Sequence, residues 1–182
     1  MSMSRERVFV GMSGGVDSSV AAALLCRQGL EVLGVTMRLE EETSAERDAA
    51  EVCSVLGIPH RVVELQEPFR RLVKEPFARE YLAGRTPNPC VMCNPRIKFG
   101  ALLDWALDQG ADRIATGHYA RVEAQNGRMA LKKSAAGRKD QTYFLYGLSQ
   151  RQLSHTRFPL AGLTKPEIRA LAAQFQLPVA QK

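Results

Sequence analysis

The chain has 182 residues, of which 45% are hydrophobic, so it is long enough to bury one sizeable core. No apolar run approaches the ~20 residues of a membrane-spanning helix, and the polar N-terminus lacks the apolar stretch of a signal peptide. The 25 Lys and Arg outnumber the 19 Asp and Glu, and this net charge of +6 favours a polyanionic partner such as nucleic acid. Four cysteines without a secretory signal indicate the reducing cytoplasm.

Strands and helices alternate in the first half of the chain. Hydrophobic patterning predicts strands over residues 7–10, 31–37 and 60–65, with helices over 18–28, 43–56 and 68–83. The second of these helices is predicted to open with a capping box between Thr43 and Glu46, and the third to bend near Pro76. This alternation predicts an α/β fold with a parallel sheet covered by helices on both faces.

The second half of the chain is less regular. Residues 85–95, rich in proline and asparagine, are predicted to form a loop that precedes a helix over 97–109 and a fourth strand over 113–116. Asn126 and Gly127 lie between two short apolar runs and predict a β-hairpin. A second capping box, between Thr164 and Glu167, predicts a final helix that ends at Gln176.

A glycine-rich segment connects the first strand to the first helix. Glycines at the start of a helix aim several backbone N–H groups at one point, and the helix dipole adds positive potential there, which favours a phosphate. The segment is neither a Walker A loop nor GxGxxG, and it resembles the pyrophosphate-binding (PP) loop of ATP pyrophosphatases. A turn whose glycines serve only backbone geometry is the simpler alternative. The candidate residues are Gly11, Met12, Ser13, Gly14, Gly15, Val16, Asp17 and Ser18.

The predicted loop at 85–95 carries a pair of cysteines, Cys90 and Cys93. Two prolines stiffen the approach, and Cys93 lies just before a predicted helix among basic residues, which would favour its thiolate and make it a nucleophile. A redox pair, a zinc site and a three-cysteine iron–sulfur cluster completed from outside this segment are alternative uses of the CxxC spacing. Cys26 and Cys53 lie on predicted helices and are interpreted as buried hydrophobes.

With both motifs in hand, the chain resembles the tRNA-specific 2-thiouridylase (MnmA) family, whose members replace the C2 oxygen of the wobble uridine with sulfur. The resemblance implies a Rossmann-like PP-loop fold of the adenine nucleotide alpha hydrolase type, with a small β-hairpin insertion. Six matching segments occur in the family's order and cover nearly all of the chain: residues 11–18, 86–89, 93–94, 97–99, 115–119 and 139–145.

The resemblance also assigns site residues. It implies that the PP loop binds ATP together with Met37 and Gly117, and that the target base lies against Asn88, Pro89 and Cys90. It places tRNA against Lys139, Asp140 and Gln141. Apart from the resemblance, the basic residues of this last segment are equally well explained as a solvated loop or as phosphate contacts.

The mechanism implied by the family begins with adenylation of the uridine O2 by ATP and Mg²⁺, which lets this oxygen leave as part of AMP. Sulfur comes from a persulfide-bearing donor protein and arrives at the base as a persulfide on a second cysteine. Cys93 attacks that persulfide and a disulfide results. The base must be flipped out, which the single-stranded anticodon loop makes inexpensive.

The chain departs from the family's pattern at two places. Many members have Asp where this chain has Cys90, and the second catalytic cysteine belongs to a Gly-Ile-Cys-Phe segment expected beyond Lys182. The chain is therefore expected to be the truncated N-terminal ATP-pyrophosphatase domain, residues 1–182, in which 146–182 begin a linker or a second tRNA-binding region. By itself it should bind ATP without completing thiolation.

Two other functions remain open. One is a different PP-loop ATP pyrophosphatase, similar to argininosuccinate synthetase or tRNA lysidine synthetase, although those enzymes would not need Cys93 and its proline-rich approach. The other is a module that only binds nucleotide or tRNA.

Overall fold

The computed structural model describes residues 5–41 and 43–181 of the chain. The strands are β1 (Arg7–Gly11), β2 (Glu31–Arg38), β3 (His60–Glu64), β4 (Arg113–Thr116), β5 (Arg121–Gln125), β6 (Arg128–Lys132) and β7 (Thr156–Arg157). Five of them form one parallel sheet in the order β3-β2-β1-β4-β7, and β5 and β6 form a separate antiparallel hairpin. The turn of this hairpin is Asn126 and Gly127, both with positive φ, as the sequence predicts.

Helices cover both faces of the sheet, which confirms the predicted Rossmann-like class. The α-helices are α1 (Val16–Arg27), α2 (Ser44–Leu56), α3 (Gln66–Phe69), α4 (Glu75–Leu82), α5 (Pro89–Cys93), α6 (Leu102–Asp108), α7 (Gln150–Ser154) and α8 (Lys165–Gln174). Side chains of β1 alternate between two buried clusters, because successive residues of a strand point to opposite faces. Val8 and Val10 pack with residues of α1, α2 and α8, whereas Phe9 packs with residues of α6.

Two π-helical segments, Arg70–Lys74 and Asn94–Ala101, join α3 to α4 and α5 to α6. The first ends just before Pro76, where the sequence predicts a bend. In the second, a Cβ on Gly100 would lie 2.8 Å from the carbonyl oxygen of Pro95, so the wide turn there requires glycine. Such segments often occur at functional sites, and the second one directly follows Cys93.

The prediction of a loop over 85–95 is wrong in its second half, because α5 begins at Pro89. The side-chain oxygen of Asn88 accepts hydrogen bonds from the N–H groups of Cys90 (3.0 Å) and Val91 (3.4 Å). Asn88 is thus an N-cap, and Pro89 occupies the first helical position, where its missing N–H costs nothing. The two residues that indicate a loop in the sequence are therefore the start signal of a helix.

One of the two predicted capping boxes is absent. The carboxylate of Glu46 bonds the guanidinium of Arg38, at the end of β2, and the Thr43 side chain makes no capping bond to α2. An ion pair with the preceding strand therefore replaces the contact within the helix start. The second box is confirmed, since Glu167 accepts bonds from the backbone N–H and the hydroxyl of Thr164, at 2.7 and 2.6 Å.

Residues 146–181 contribute to the same sheet and core as the rest of the chain. β7 pairs with β4, and α8 packs against α1 with Ile168 and Ala172 fully buried. No helix in the described part of the chain is both long and apolar enough to cross a membrane.

Candidate functional site

A cleft of about 400 Å³ opens at the carboxyl ends of β1, β2 and β4. Its position follows from the topology: β2 and β3 lie on one side of β1 and β4 on the other, and ligands of open α/β sheets bind where the strand order reverses. Most of the predicted nucleotide-binding residues line it, namely Gly11, Met12, Ser13, Asp17, Ser18, Met37 and Gly117. Gly14, Gly15 and Val16 complete the loop without lining the cleft.

The PP loop is held in shape by close backbone packing at Gly14 and by hydrogen bonds of the Ser18 hydroxyl. Gly14 has φ +69°, and a Cβ there would lie 2.7 Å from the carbonyl oxygen of Ala45. The Ser18 hydroxyl accepts a hydrogen bond from the Ser13 N–H (3.2 Å) and donates one to the Gly15 carbonyl (3.1 Å). Because the first N–H groups of a helix have no partners within it, the start of α1 presents donors to an anion at this end of the cleft.

Gly117 brings the end of β4 against the start of α1. A Cβ at this position would lie 2.7 Å from the Ser18 nitrogen and 2.8 Å from the Asp17 carbonyl carbon. Both are backbone atoms of a packed helix and cannot move independently. The absence of a side chain at Gly117 is therefore a requirement of the cleft, in addition to any contact with a ligand.

Asp17 is oriented by two residues that sequence reasoning did not assign to the site. Its Oδ1 accepts a hydrogen bond from the Tyr119 hydroxyl at 2.6 Å and forms an ion pair with Lys165 Nζ, also at 2.6 Å. Burial and the adjacent Asp17 carboxylate raise the pKa of Tyr119, so the phenol stays protonated and donates. Tyr119 belongs to a matched segment, but nothing local in the sequence connects Lys165, 148 positions away, to the PP loop.

His118 lines the cleft as a neutral side chain. Burial lowers its pKa to about 3, with a smaller contribution from the positive charge of Lys98. The ring bonds the Thr116 hydroxyl at 2.8 Å and packs against Phe99 and Phe158. It is therefore a fixed, uncharged wall of the cleft near neutral pH.

The expectation that helix geometry favours the Cys93 thiolate is wrong. Cys93 is the last residue of α5, a full turn beyond the helix start, so it does not lie at the unpaired N–H groups of the first turn. Burial raises the pKa of the Cys93 thiol, the charge of Lys98 opposes this rise, and the neighbouring Cys90 adds to it. Cys93 is half-buried and Cys90 is exposed. The nucleophilic role of Cys93 remains a prediction.

Lys98 connects the two parts of the site. It lies on the π-helical segment between α5 and α6, lines the cleft, and forms no ion pair with any residue in the described ranges. Its charge acts on both Cys93 and His118. The sequence shows only a lysine flanked by two large apolar residues, whereas the structure shows that Lys98 is half-buried between the fully buried Ile97 and Phe99.

The three residues predicted to contact tRNA have different environments. Lys139 is exposed. The carboxylate of Asp140 accepts bonds from the backbone and hydroxyl groups of Ser134 and Thr142, and these bonds outweigh burial and lower its pKa. Gln141 exchanges two 2.9 Å bonds with the backbone of Tyr119 and lines the cleft. Of the three side chains, that of Lys139 faces solvent, and the other two hold the loop.

Comparison with known proteins assigns the chain to a family. A model of the tRNA methyl transferase HUP domain family matches residues 6–182. The chain belongs to this family. Two similar curated relatives are tRNA-specific 2-thiouridylase MnmA 2 of Thermoanaerobacter sp. (strain X514), 50% identical over 97% of this chain and 53% of the relative, and MnmA of Nitrosomonas europaea, 51% identical over 99% and 52%. The chain thus spans about half the length of the curated relatives it matches.

Solved structures show that the HUP-domain fold of this family is shared more widely. A 4-thiouridine synthetase in complex with RNA and ATP superposes with a TM-score of 0.67 at 18% identity, covering 96% of this chain and 42% of the synthetase. An NH3-dependent NAD synthetase from Campylobacter jejuni has a TM-score of 0.61 at 21% identity, covering 100% of this chain and 69% of the synthetase. Both confirm the fold class.

Proposed function

We propose that residues 1–182 form the ATP-pyrophosphatase domain of a tRNA 2-thiouridylase that acts in the cytoplasm, where its tRNA substrate is found. The names of the curated relatives support the activity. The observation that carries the proposal is the position of Lys98, which lines the PP-loop cleft while its charge acts on Cys93. One side chain thus lines the proposed nucleotide site and lies within electrostatic reach of the proposed sulfur-handling thiol.

The cleft fits the triphosphate of ATP. The PP loop and the start of α1 offer N–H donors to the phosphates, and Lys98 offers a cation from another wall. Met37 and Gly117, at the ends of β2 and β4, would border the nucleoside. Gly14 and Gly117 have no room for a Cβ, because it would meet backbone atoms of Ala45 at Gly14 and of Asp17 and Ser18 at Gly117, so both glycines keep the cleft walls closely packed.

Magnesium fits this site as an ion held mainly by phosphate and water. In the described ranges no group of three His, Cys, Asp or Glu side chains is placed to share a metal, and Asp17 is the one carboxylate that lines the cleft. Mg²⁺ commonly binds through one or two carboxylates together with substrate phosphates, and it would neutralise charge on the departing pyrophosphate. An iron–sulfur cluster would need a thiol in addition to Cys90 and Cys93, from outside the described part of this chain.

The proposed chemistry requires two displacements. The uridine O2 attacks the α-phosphorus of ATP and pyrophosphate leaves, so that O2 becomes part of an adenylate. A persulfide sulfur on a second cysteine, loaded by a donor protein, then attacks C2, and AMP leaves with the former O2. The base is then joined to the second cysteine through two sulfur atoms. The Cys93 thiolate attacks the sulfur that belongs to this cysteine, which leaves the other sulfur on the base and forms a disulfide between the two cysteines. The two cysteines together supply the two electrons that reduce the sulfane sulfur to the level of a thiocarbonyl, and they are themselves oxidised to the disulfide.

Base recognition is proposed at the start of α5. The Asn88 side-chain oxygen is used in capping, which leaves its amide nitrogen as a donor for a uracil carbonyl. Pro89 and the exposed Cys90 form the adjoining surface, and Lys139 is the proposed phosphate contact of the tRNA.

A tRNA-dependent ATP–pyrophosphate exchange assay on the full-length protein tests this function. We expect exchange of labelled pyrophosphate into ATP only when tRNA with an unmodified wobble uridine is present. Exchange that is absent, or that proceeds without tRNA, would contradict the proposal. Methyl transfer from S-adenosylmethionine to tRNA without exchange would support instead the activity in the family's description.

A further inference from the structure

A second surface groove, of about 490 Å³, lies outside the nucleotide cleft. It runs between α4, the segment that leads into α5, and the 3₁₀ turn Thr142–Leu145. Two of its walls are aromatic, Tyr143 and Tyr146, and we call these two side chains the tyrosine shelf. Their side chains take no part in the chemistry proposed above.

The tyrosine shelf is exposed and held rigidly. Tyr143 is 65% and Tyr146 67% exposed, and their ring centroids are 6.2 Å apart. Leu145, between them in sequence, is fully buried, and the Phe144 ring braces Tyr143 edge-on at 5.5 Å. The side-chain amide of Asn94 donates to the Phe144 carbonyl at 2.9 Å. The turn is thus anchored to the helix of Cys93 while both phenol rings face solvent.

The groove is continuous with the proposed base site. Asn88, which caps α5 and is proposed to contact the target base, also lines the groove together with Arg96. If a base is bound at Asn88, the neighbouring nucleotides of the same RNA strand would therefore lie beside the tyrosine shelf. The continuity determines which occupant fits: the nucleotides next to the target uridine.

The charges around the groove suit RNA. The Arg96 guanidinium donates one bond to the Leu72 carbonyl at 2.8 Å, which leaves its other donors available. Glu80 also lines the groove, but its carboxylate is bound by Arg85. Lys139 is exposed shortly before the tyrosines. Exposed aromatic rings beside cations are the usual platform for unpaired bases, which stack on them.

We propose that Tyr143 and Tyr146 stack against the unpaired anticodon-loop bases that flank the target uridine, and so hold the loop open for adenylation. This inference rests on the proposed function and adds a second contact surface for the same substrate. Since the rings contribute by stacking, they would recognise a single-stranded loop in preference to a duplex, with little preference among bases.

Binding of a labelled anticodon stem-loop RNA to the protein tests the tyrosine shelf. Tyr143→Ala and Tyr146→Ala should each weaken binding roughly five- to hundredfold, the range for loss of one stacked base. Tyr143→Phe should bind as the unsubstituted protein does, because the ring remains. Tyr81→Ala is the matched control: Tyr81 is also 67% exposed, but it stacks on Phe77 and does not line the groove.

Two further measurements separate stacking from charge and from misfolding. The alanine variants should leave the slope of log Kd against log salt unchanged, whereas Lys139→Ala should reduce it by roughly one phosphate contact. An RNA with an abasic nucleotide beside the target should lose affinity for the unsubstituted protein but little more for Tyr143→Ala or Tyr146→Ala, a coupling that a folding defect would not produce.

Equal binding by both alanine variants and the unsubstituted protein would overturn the inference, even if tRNA-dependent pyrophosphate exchange is found. Alanine variants that lower sulfur transfer from the donor protein but leave RNA binding unchanged would also overturn the inference. They would indicate that the tyrosine shelf is a protein-docking surface. Conversely, loss of RNA binding in the variants would support the shelf even if exchange fails and the proposed function falls.

Discussion

At the scale of single residues, the site depends on positions where atoms are close and substitution has a defined consequence. Asp17, Gly117 and Lys98 illustrate three kinds of constraint. The first is held by a tyrosine and a lysine, the second has no room for a Cβ, and the third is a cation without an ion-pair partner in the described ranges. A sequence motif indicates that such residues matter, but it does not distinguish among these reasons.

Gly117→Ala should weaken both stability and ATP binding. Its Cβ would collide with backbone atoms of Asp17 and Ser18, so β4 and α1 must separate, at a cost of about 1–3 kcal/mol for such overpacking. Thermal unfolding and calorimetric titration with ATP measure the two effects. Gly162→Ala is the matched control, because a Cβ there meets no atom within 4 Å. Equal behaviour of the two variants would show that the close approach is not required.

Cys93→Ser in the full-length protein should abolish formation of 2-thiouridine, whereas Cys90→Ser should reduce it less. Cys93 is half-buried beside Lys98, and Cys90 is exposed at the first turn of α5. Mass spectrometry of nucleosides from digested tRNA measures the product. The reverse order of effects would mean that Cys90 is the nucleophile.

At the scale of elements, α5 shows how a short helix can present the edge that is proposed to bind the target base. Asn88 and Pro89 start it, Cys93 ends it, and the chain continues into a π-helical segment with Lys98. Asparagine followed by proline often marks a loop, but here Asn88 and Pro89 begin a helix. As a consequence, the two cysteines lie on a helix and not on an extended loop.

Asn88→Asp and Asn88→Ala should separate helix capping from base recognition. Aspartate is as good an N-cap as asparagine but has no N–H donor, so Asn88→Asp should keep its stability and lose activity. Asn88→Ala should lose activity and also about 1 kcal/mol of stability. Chemical unfolding and the pyrophosphate exchange assay give the two readouts. Full activity of Asn88→Asp would exclude the amide as a base contact.

At the scale of the whole molecule, half-buried histidines connect stability to pH. His118 has a pKa of about 3 in the folded chain, and an unfolded histidine titrates near 6.5. Because the folded value is the lower one, its stabilising contribution is complete above pH 6.5 and is lost as the pH falls from there towards 3. His60, whose pKa burial also lowers, acts in the same direction.

The free energy of unfolding should therefore decrease between pH 6.5 and 4.5, before most carboxylates titrate. The slope approaches ~1.4 kcal/mol per pH unit for each proton taken up by the unfolded chain. His118→Gln should flatten this slope, and His60→Gln combined with it should flatten it further. Urea unfolding at a series of pH values measures the effect. An unchanged slope in His118→Gln would contradict the burial of a neutral ring.

Much of the fold and part of the site could be predicted from the sequence. Among the described elements, strands β1 to β6 and most helices follow from the period of the hydrophobic residues and from glycine or proline at the ends of the elements, which are local signals. β7 has only two residues, which is too short for any period, and the start of α5 was missed because Asn-Pro is both a loop signal and a helix-start signal.

The sequence by itself determined most of the strands and helices, the PP loop and the family, because each of these is encoded in neighbouring residues and their spacing. The tertiary structure alone decided that Lys165 reaches Asp17, that Glu46 leaves its cap for Arg38, and that the tyrosine shelf borders Asn88. The physical reason is that these contacts join side chains of different elements, and only the packing of the elements against one another brings those side chains together.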